Sequence, residues 1–275
     1  MKLRAVLAAV AALVVVPTAS GAYPGSMAST GDSITRAFNT GWIPYVDWPP
    51  NSWSTGSSGT VNSHYRRILS ANPAIAGRNY NDAQSGADMA DLDGQVARAV
   101  GQGVEYVTIL MGANDVCASS ESAMTPVTTF RAQFDQGMQT LTGGSPAVRV
   151  FVASIPDIYR LWEIYHGSVT AQFVWTAAGI CQSMLANPWS NAPADVARRA
   201  RVRQRNIDYN TQLAEACAFY VQCRFDGNAV FETAFVRSDV STRDYFHPSV
   251  AGQAKLAAVT WSRTFDFAES QPSTE

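Results

Sequence analysis

Short apolar segments that favour β-strands alternate with longer helical patterns along this chain of 275 residues. The strongest strand candidates are Tyr106–Met111 and Arg149–Ile155, because both are mainly apolar and rich in β-branched or aromatic side chains. Weaker strand candidates are Met27–Thr30, Arg78–Asn81 and Phe219–Phe225, and helical patterns cover residues 87–100, 127–141, 195–218 and 250–265. Strands that alternate with helices predict a mostly parallel sheet with helices on both faces.

The first 22 residues have the pattern of a secretory signal peptide. Lys2 and Arg4 precede the apolar run Ala5–Val16, and small residues follow up to Ala22. This run is too short to cross the hydrocarbon core of a bilayer, which is about 30 Å thick. A buried N-terminal helix is the alternative. We expect cleavage after Ala22, secretion of the product, and a single domain over residues 23–275.

The chain has four cysteines, all beyond the predicted cleavage site: Cys117, Cys181, Cys217 and Cys223. An even number of cysteines in an exported chain predicts two disulfides, and free buried thiols are the alternative. Of the three connectivities, we favour Cys217 with Cys223 across a short connection and Cys117 with Cys181 across a long one. No C-x-x-C pair occurs, and three histidines form no zinc-like cluster, so we predict no metal site.

The composition narrows the range of partners. Charged residues make up 15% of the chain, hydrophobic residues 47%, and the formal net charge is −2. These values are typical of a globular protein and provide no basic surface for nucleic acid. We therefore expect no nucleic-acid partner and no stable membrane insertion.

Polar motifs follow several of the predicted elements. Gly31-Asp32-Ser33 closes the first strand, which is itself unusually polar, and Gly112-Ala113-Asn114-Asp115 closes the strand that begins at Tyr106. A third motif, 244–249, comes just before the last helix and contains Asp244 and His247. Open α/β sheets bind ligands beyond the carboxyl ends of their strands, so we expect these motifs to meet at one edge of the sheet.

In this order the motifs resemble those of the SGNH hydrolase superfamily, the GDSL esterases and lipases. Ser33 matches the nucleophile of the Gly-Asp-Ser block, Gly86 the glycine block and Asn114 the Gly-x-Asn-Asp block, while Asp244 and His247 match the Asp-x-x-His block. The resemblance extends from about residue 30 to residue 253. It implies a three-layer α/β/α sandwich of the flavodoxin-like type and an ester hydrolase that needs no metal or organic cofactor.

The chemistry of ester hydrolysis gives each of these residues a role. A serine hydroxyl is a weak nucleophile, so we expect His247 to take the proton of Ser33 as a general base, with Asp244 orienting the imidazole. A backbone carbonyl is the alternative partner of the imidazole. The resemblance assigns the oxyanion hole to the backbone N–H groups of Ser33 and Gly86 and the side-chain amide of Asn114.

The sequence indicates the substrate class less directly than it indicates the catalytic residues. The segment Ser52–Gly56 and the position of Cys117, directly after Gly-Ala-Asn-Asp-Val, are similar to the phospholipase B-like branch, which implies lipid or phospholipid esters. We expect Trp53, Trp162 and Trp175 to line the substrate site. The last two lie on the apolar segment 158–189, which we expect to form an acyl groove; a helical subdomain that buries its own apolar residues is the alternative. One alternative is a carbohydrate O-acetyl esterase with a shallower, more polar cleft. Another is a non-catalytic cell-surface binding protein on a hydrolase scaffold.

The expected partners follow from this assignment. We expect a small-molecule or lipid ester as substrate, transient contact with a lipid surface, and a monomeric protein.

Overall fold

A computed structural model describes residues 22–268 of the chain. Residues 1–21 of the predicted signal peptide lie outside the described residues. Five strands form one parallel sheet in the order β2-β1-β3-β4-β5. They are β1 (Met27–Gly31), β2 (Asn79–Asn81), β3 (Tyr106–Leu110), β4 (Arg149–Val152) and β5 (Cys223–Phe225). The predicted parallel sheet is therefore confirmed, with the strand order of flavodoxin-like folds.

Helices cover both faces of the sheet, as predicted. In the described part of the chain they are α1 (His64–Ala71), α2 (Leu92–Gln102), α3 (Ala113–Val116), α4 (Val127–Gly144), α5 (Tyr159–Tyr165), α6 (Val169–Ala177), α7 (Gln182–Leu185), α8 (Pro193–Cys217) and α9 (Val250–Trp261). Helices α2, α4 and α8 pack side by side on one face. On the other face, α1 and α9 meet through His64, whose buried ring bonds to Thr260 and Tyr106.

The central strand β1 is polar yet wholly buried. Its register with β3 runs from Met27 opposite Tyr106 to Gly31 opposite Leu110. The hydroxyl groups of the strand are satisfied internally: the Ser29 hydroxyl lies 2.9 Å from that of Thr55, and the Thr30 hydroxyl donates to the Thr108 carbonyl at 3.4 Å. Buried polar groups that find such partners cost little stability, and this explains how an uncharged but polar strand occupies the sheet centre.

The last strand is shorter than predicted. It begins at Cys223 rather than Phe219, because the disulfide from Cys217 to Cys223 closes a turn between α8 and β5. A second disulfide joins Cys117, at the end of α3, to Cys181 at the start of α7. This disulfide ties the start of α7 to α3, which follows β3 at the carboxyl edge of the sheet. Within residues 22–268, no helix combines the length and apolar character needed to cross a bilayer.

Candidate active site

The candidate site lies where three neighbouring strands end. Ser33 follows β1, Gly86 lies in the connection after β2, and Asn114 lies in α3 just after β3. Because β2, β1 and β3 are adjacent and parallel, their carboxyl ends share one edge of the sheet. From β1 the chain continues to β2 on one side and then to β3 on the other side of β1. This reversal of strand order is the topological switch point at which α/β sheets bind ligands.

The turn that carries Ser33 depends on a glycine. Gly31 has φ +143°, and a Cβ atom there would lie 2.2 Å from the Leu110 carbonyl oxygen. The buried side chain of Gln95 fixes the strand end by accepting from the Gly31 N–H at 2.7 Å and donating to the Gly31 carbonyl at 2.9 Å. The chain can therefore turn sharply after β1 and present Ser33 at the sheet edge.

A continuous hydrogen-bonded chain joins three of the predicted residues. Ser33 Oγ lies 2.8 Å from His247 Nε2, and His247 Nδ1 lies 2.8 Å from Asp244 Oδ2. Asp244 Oδ1 also accepts from the backbone N–H groups of Phe246 and His247, at 3.0 and 3.1 Å. The spacing of three residues lets the carboxylate turn back onto the ring, so the structure pairs the imidazole with Asp244 rather than with a backbone carbonyl.

The electrostatics of Asp244 suit an ionised partner for the imidazole. Burial raises the pKa of Asp244, but the hydrogen bond and charge of His247 and the two backbone N–H groups together bring that pKa below its ordinary value. Asn39 adds a further donor, since its side-chain amide also hydrogen-bonds to Asp244 Oδ2. The rings of Phe38 and Phe246 flank His247, with centroids 4.7 and 5.0 Å from that of the imidazole.

Three donors border the cleft beside Ser33. The backbone N–H groups of Ser33 and Gly86 have no hydrogen-bond acceptor among residues 22–268. Asn114 donates one amide hydrogen to the Ala87 carbonyl at 2.7 Å, which fixes the side chain and leaves its second hydrogen for a ligand. Gly86, Asn114, Ser33 and His247 all line one open cleft of about 390 Å³. This arrangement is chemically suited to activate a hydroxyl and to stabilise a nearby oxyanion.

Comparison with known proteins agrees with this geometry. Residues 30–255 match the GDSL-like lipase/acylhydrolase family, which is most of the chain. The chain belongs to the GDSL-like lipase/acylhydrolase family. It is therefore an ester-bond hydrolase, and the predicted relationship to the GDSL esterases and lipases is confirmed.

Solved structures resemble this GDSL-like hydrolase in fold. An extracellular lipase from Streptomyces rimosus has 18% identity and a TM-score of 0.52, with 87% of this chain and 99% of that chain covered. LAE5, an α/β hydrolase from the metagenome of Lake Arreo, Spain, has 15% identity and a TM-score of 0.53, with coverage of 91% and 99%. A family 3 carbohydrate esterase from Clostridium thermocellum has 14% identity and a TM-score of 0.50, with coverage of 86% and 94%. No curated protein sequence matches significantly.

Two further carboxyl groups of the GDSL-like hydrolase, those of Asp32 and Asp115, are buried and directly adjoin the cleft residues Ser33 and Asn114 in the sequence. Burial raises the pKa of Asp32 to about 7 and that of Asp115 to about 6. Asp32 accepts from the Ile34 N–H at 2.8 Å, and Asp115 from the Met89 N–H at 2.9 Å. Both carboxyl groups hold loops that carry site residues, because Asp32 precedes Ser33 and Met89 closely follows Gly86.

The cleft of the GDSL-like hydrolase is apolar on one side. Phe38, Ile180 and Phe246 line it together with the polar residues named above. Behind Phe246 and His247 lies a second, narrower cavity of about 50 Å³. Its walls are mainly aliphatic or aromatic and include Ile34, Ile158, Leu161, Ile164, Phe235 and Leu256. Apolar space therefore adjoins His247, and this second cavity is not lined by Ser33, Gly86 or Asn114.

The three tryptophans predicted to contact substrate do not line the cleft, and this prediction is wrong for the structure described. Trp53 and Trp175 have no exposed surface, and Trp162 is 9% exposed. Trp162 packs against the buried Arg199 of α8, whose guanidinium carbon lies 4.1 Å from the ring centroid. The Trp175 ring N–H donates to the Tyr245 carbonyl at 3.0 Å. Trp162 and Trp175 are thus buried against α8 and the 243–247 segment instead of lining an open groove.

Asn39 is the site residue that sequence reasoning missed. It lies in a loop without a recognisable motif, six residues after Ser33 and far from Asp244 in the chain. The sequence therefore offered no local signal for its role. In the structure Asn39 adopts a positive φ of 66°, which asparagine tolerates better than most residues. The contact arises because the loop after Ser33 folds back over the 243–247 segment.

Proposed function

We propose that this GDSL-like hydrolase is a secreted serine carboxylic-ester hydrolase that acts on lipid or phospholipid acyl esters through an acyl-enzyme. The observation that carries the proposal is the unbroken chain from Ser33 Oγ through His247 to Asp244, with 2.8 Å at each step, at the edge of an open cleft. Export is supported by the N-terminal pattern of residues 1–22 and by the two disulfides.

In the first half of the reaction, Ser33 Oγ attacks the ester carbonyl carbon while His247 Nε2 takes the hydroxyl proton. The carbonyl electron pair moves onto oxygen, and the backbone N–H groups of Ser33 and Gly86 and the amide of Asn114 donate to the oxyanion. The ester C–O bond then breaks, and the protonated His247 gives its proton to the leaving alcohol. The carboxylate of Asp244 stabilises the imidazolium meanwhile.

In the second half, water replaces the alcohol. His247 takes a proton from the water as its oxygen attacks the acyl-Ser33 carbonyl carbon, and the same three donors again stabilise the oxyanion. Collapse of this intermediate breaks the bond to Ser33 Oγ, and the proton on His247 returns to that oxygen. The products are a carboxylic acid and free enzyme, and the reaction needs no group beyond the chain and water.

A covalent probe tests the assignment of Ser33. A fluorophosphonate should label the wild-type protein at one site and should fail to label Ser33→Ala, because the Ser33 hydroxyl forms the covalent bond. Ser85 is the matched control, since it also lines the cleft but its hydroxyl donates to Asp47. Ser85→Ala should still be labelled, and full labelling or full activity of Ser33→Ala would reject the mechanism.

The lipid assignment is supported by the apolar surroundings of His247. Phe38, Ile180 and Phe246 suit an acyl chain better than a sugar ring with its hydroxyl groups. Each buried methylene contributes about 0.8 kcal/mol, so kcat/KM should rise by about fourfold per carbon until the available space is filled. A p-nitrophenyl ester series from two to sixteen carbons measures this rise directly.

Carbohydrate O-acetyl esterase activity is the second candidate. The small volume of the cavity behind Phe246 and the burial of Trp162 and Trp175 favour it, because both limit the space for a long acyl chain. Leu161→Phe, which fills the cavity, should lower rates on esters of eight or more carbons and spare acetate. Leu161→Met conserves volume and is the control. A preference for acetyl esters that neither variant changes supports the carbohydrate candidate.

A further inference from the structure

The loop formed by residues 41–46 has an unusual surface. It reads Gly-Trp-Ile-Pro-Tyr-Val and contains no charged residue. Trp42 is 77% exposed, Tyr45 64%, Ile43 38% and Val46 37%. Single exposed hydrophobic side chains are normal on soluble proteins, but contiguous ones mark interaction sites. The 41–46 loop is therefore a candidate contact surface.

The 41–46 loop is attached to the segment that carries Asp244 and His247. The Arg243 guanidinium donates to the carbonyl oxygens of Asn39 and Ile43, at 3.0 and 3.3 Å. In return, the Tyr45 hydroxyl donates to the Arg243 carbonyl at 3.3 Å. The contact surface is thus fixed to the segment that carries His247, and Asp47, the residue directly after the loop, accepts from the cleft residue Ser85.

Asn39 strengthens this attachment. Its side-chain oxygen accepts from the Tyr45 N–H at 2.6 Å, while its amide group donates to Asp244. The same side chain therefore holds the base of the 41–46 loop and the carboxylate behind His247. A surface that binds the loop would lie directly beside the cleft entrance.

We propose that the 41–46 loop docks the enzyme on a lipid–water interface. The inference rests on the proposed action on lipid esters, which are presented at such interfaces. Trp and Tyr rings are amphipathic and favour the boundary between headgroups and acyl chains, where Ile43 and Val46 can also leave water. A platform for sugars would need flat aromatic faces and gains little from the two aliphatic side chains.

The net charge of the chain favours an uncharged or zwitterionic lipid surface over an anionic one. Removal of the predicted signal peptide takes away Lys2 and Arg4 and leaves a formal net charge of −4. Anionic lipids would repel such a protein, so attraction must come from apolar contact. Docking should therefore occur on zwitterionic phosphatidylcholine and should persist when salt is raised from about 50 mM to about 500 mM.

Co-sedimentation with phosphatidylcholine vesicles tests the proposal. The protein used is the full mature chain with Ser33→Ala, so that binding is measured without hydrolysis. Adding Trp42→Ser with Ile43→Ser should lower the vesicle partition coefficient at least about tenfold, as expected for the loss of two apolar side chains. Thermal unfolding of each variant checks that the fold is retained.

A matched control lies at the opposite edge of the sheet. Phe219 and Val221 are 77% and 101% exposed and precede β5, on the side of its amino end. Phe219→Ser with Val221→Ser removes a similar apolar surface and should leave vesicle partition unchanged. Equal losses in the two double variants would show non-specific adsorption and overturn the proposal.

Two other outcomes separate the docking surface from the proposed function. Binding to soluble acetylated xylan but not to vesicles, lost with Trp42→Ser and Ile43→Ser, would overturn lipid docking in favour of a sugar surface. In the second outcome, the Ser33→Ala protein binds vesicles while the wild-type enzyme releases no fatty acid from them. This outcome would uphold the docking surface and reject the lipid substrate.

Discussion

Removing the two disulfides separately should destabilise this GDSL-like hydrolase by different amounts. A disulfide restricts the unfolded chain in proportion to the logarithm of the loop that it closes. The bridge from Cys117 to Cys181 spans a sequence separation of 64, and that from Cys217 to Cys223 a separation of 6. The loop-closure relation gives about 4 kcal/mol for the long bridge and about 2 kcal/mol for the short one.

The comparison of two double variants isolates this difference. Cys117→Ala with Cys181→Ala and Cys217→Ala with Cys223→Ala each delete two sulfur atoms, so the loss of side-chain contacts is similar. The free energy of unfolding from urea titrations should fall by about 2 kcal/mol more in the long-bridge variant. Thiol titration of the denatured wild type verifies that both bridges are present at the outset.

The two variants should also differ in activity. Cys117 closes α3, the helix that contains Asn114, whereas the short bridge lies near the amino ends of the strands. Ser183 retains hydrogen bonds to the Val116 and Ala118 carbonyl oxygens, so the segment stays folded but less restrained. We expect kcat to fall in the long-bridge variant alone. The reasoning is refuted if the short-bridge variant loses as much stability as the long-bridge variant.

Substitutions at three further residues test individual roles in the site. Asn114→Ala should lower kcat by about 10²-fold to 10³-fold with little change in KM, because an oxyanion donor acts in the transition state; unchanged kcat removes Asn114 from this role. Asn39→Ala removes a donor to the Asp244 carboxylate, so it should raise the pKa of Asp244 and shift the acid limb of the kcat/KM profile to higher pH. Asn39→Gln keeps an amide donor and should shift the profile less. Identical pH profiles for the wild type and Asn39→Ala contradict a positioning role. Asp32→Asn should stabilise the fold in urea unfolding by an amount that grows from pH 4 to pH 7. Burial raises the pKa of Asp32 to about 7, so in this range the carboxyl group of the wild type ionises in the unfolded chain but not in the folded one, and the wild type loses stability as the pH rises. A difference in stability that does not change with pH argues against a buried neutral carboxyl group.

Ser33 and Asn114 could be placed at the strand ends from the sequence because the argument is topological, whereas Gly86 was identified by its resemblance to the glycine block of the GDSL esterases and lipases. Ser33, Gly86 and Asn114 each follow a different predicted strand, and parallel strands end at one edge of the sheet. Asp244 and His247 are close in sequence, so their pairing needs only a local turn. Short motifs at strand ends thus carry information about spatial neighbours that periodicity alone does not provide.

Whether an aromatic side chain is buried or exposed depended on the tertiary structure. The sequence of the segment 158–189 indicates a large apolar surface but not what covers it. Trp162 is buried because Arg199 of α8 packs on its ring, and Trp175 because Tyr245 supplies a hydrogen-bond acceptor. Trp42, of the same residue type, remains exposed. Burial is decided by contacts between segments distant in the chain, which no local pattern encodes.

The sequence by itself determined the class of fold and the edge of the sheet at which the polar motifs meet, since strand periodicity and chain order suffice for both. Only the tertiary structure decided that Asn39 reaches Asp244 and that the 41–46 loop lies beside the cleft. Both contacts join residues about 200 positions apart. Such contacts form when the loop after β1 packs against the segment before α9, and their geometry depends on the packing of the whole fold.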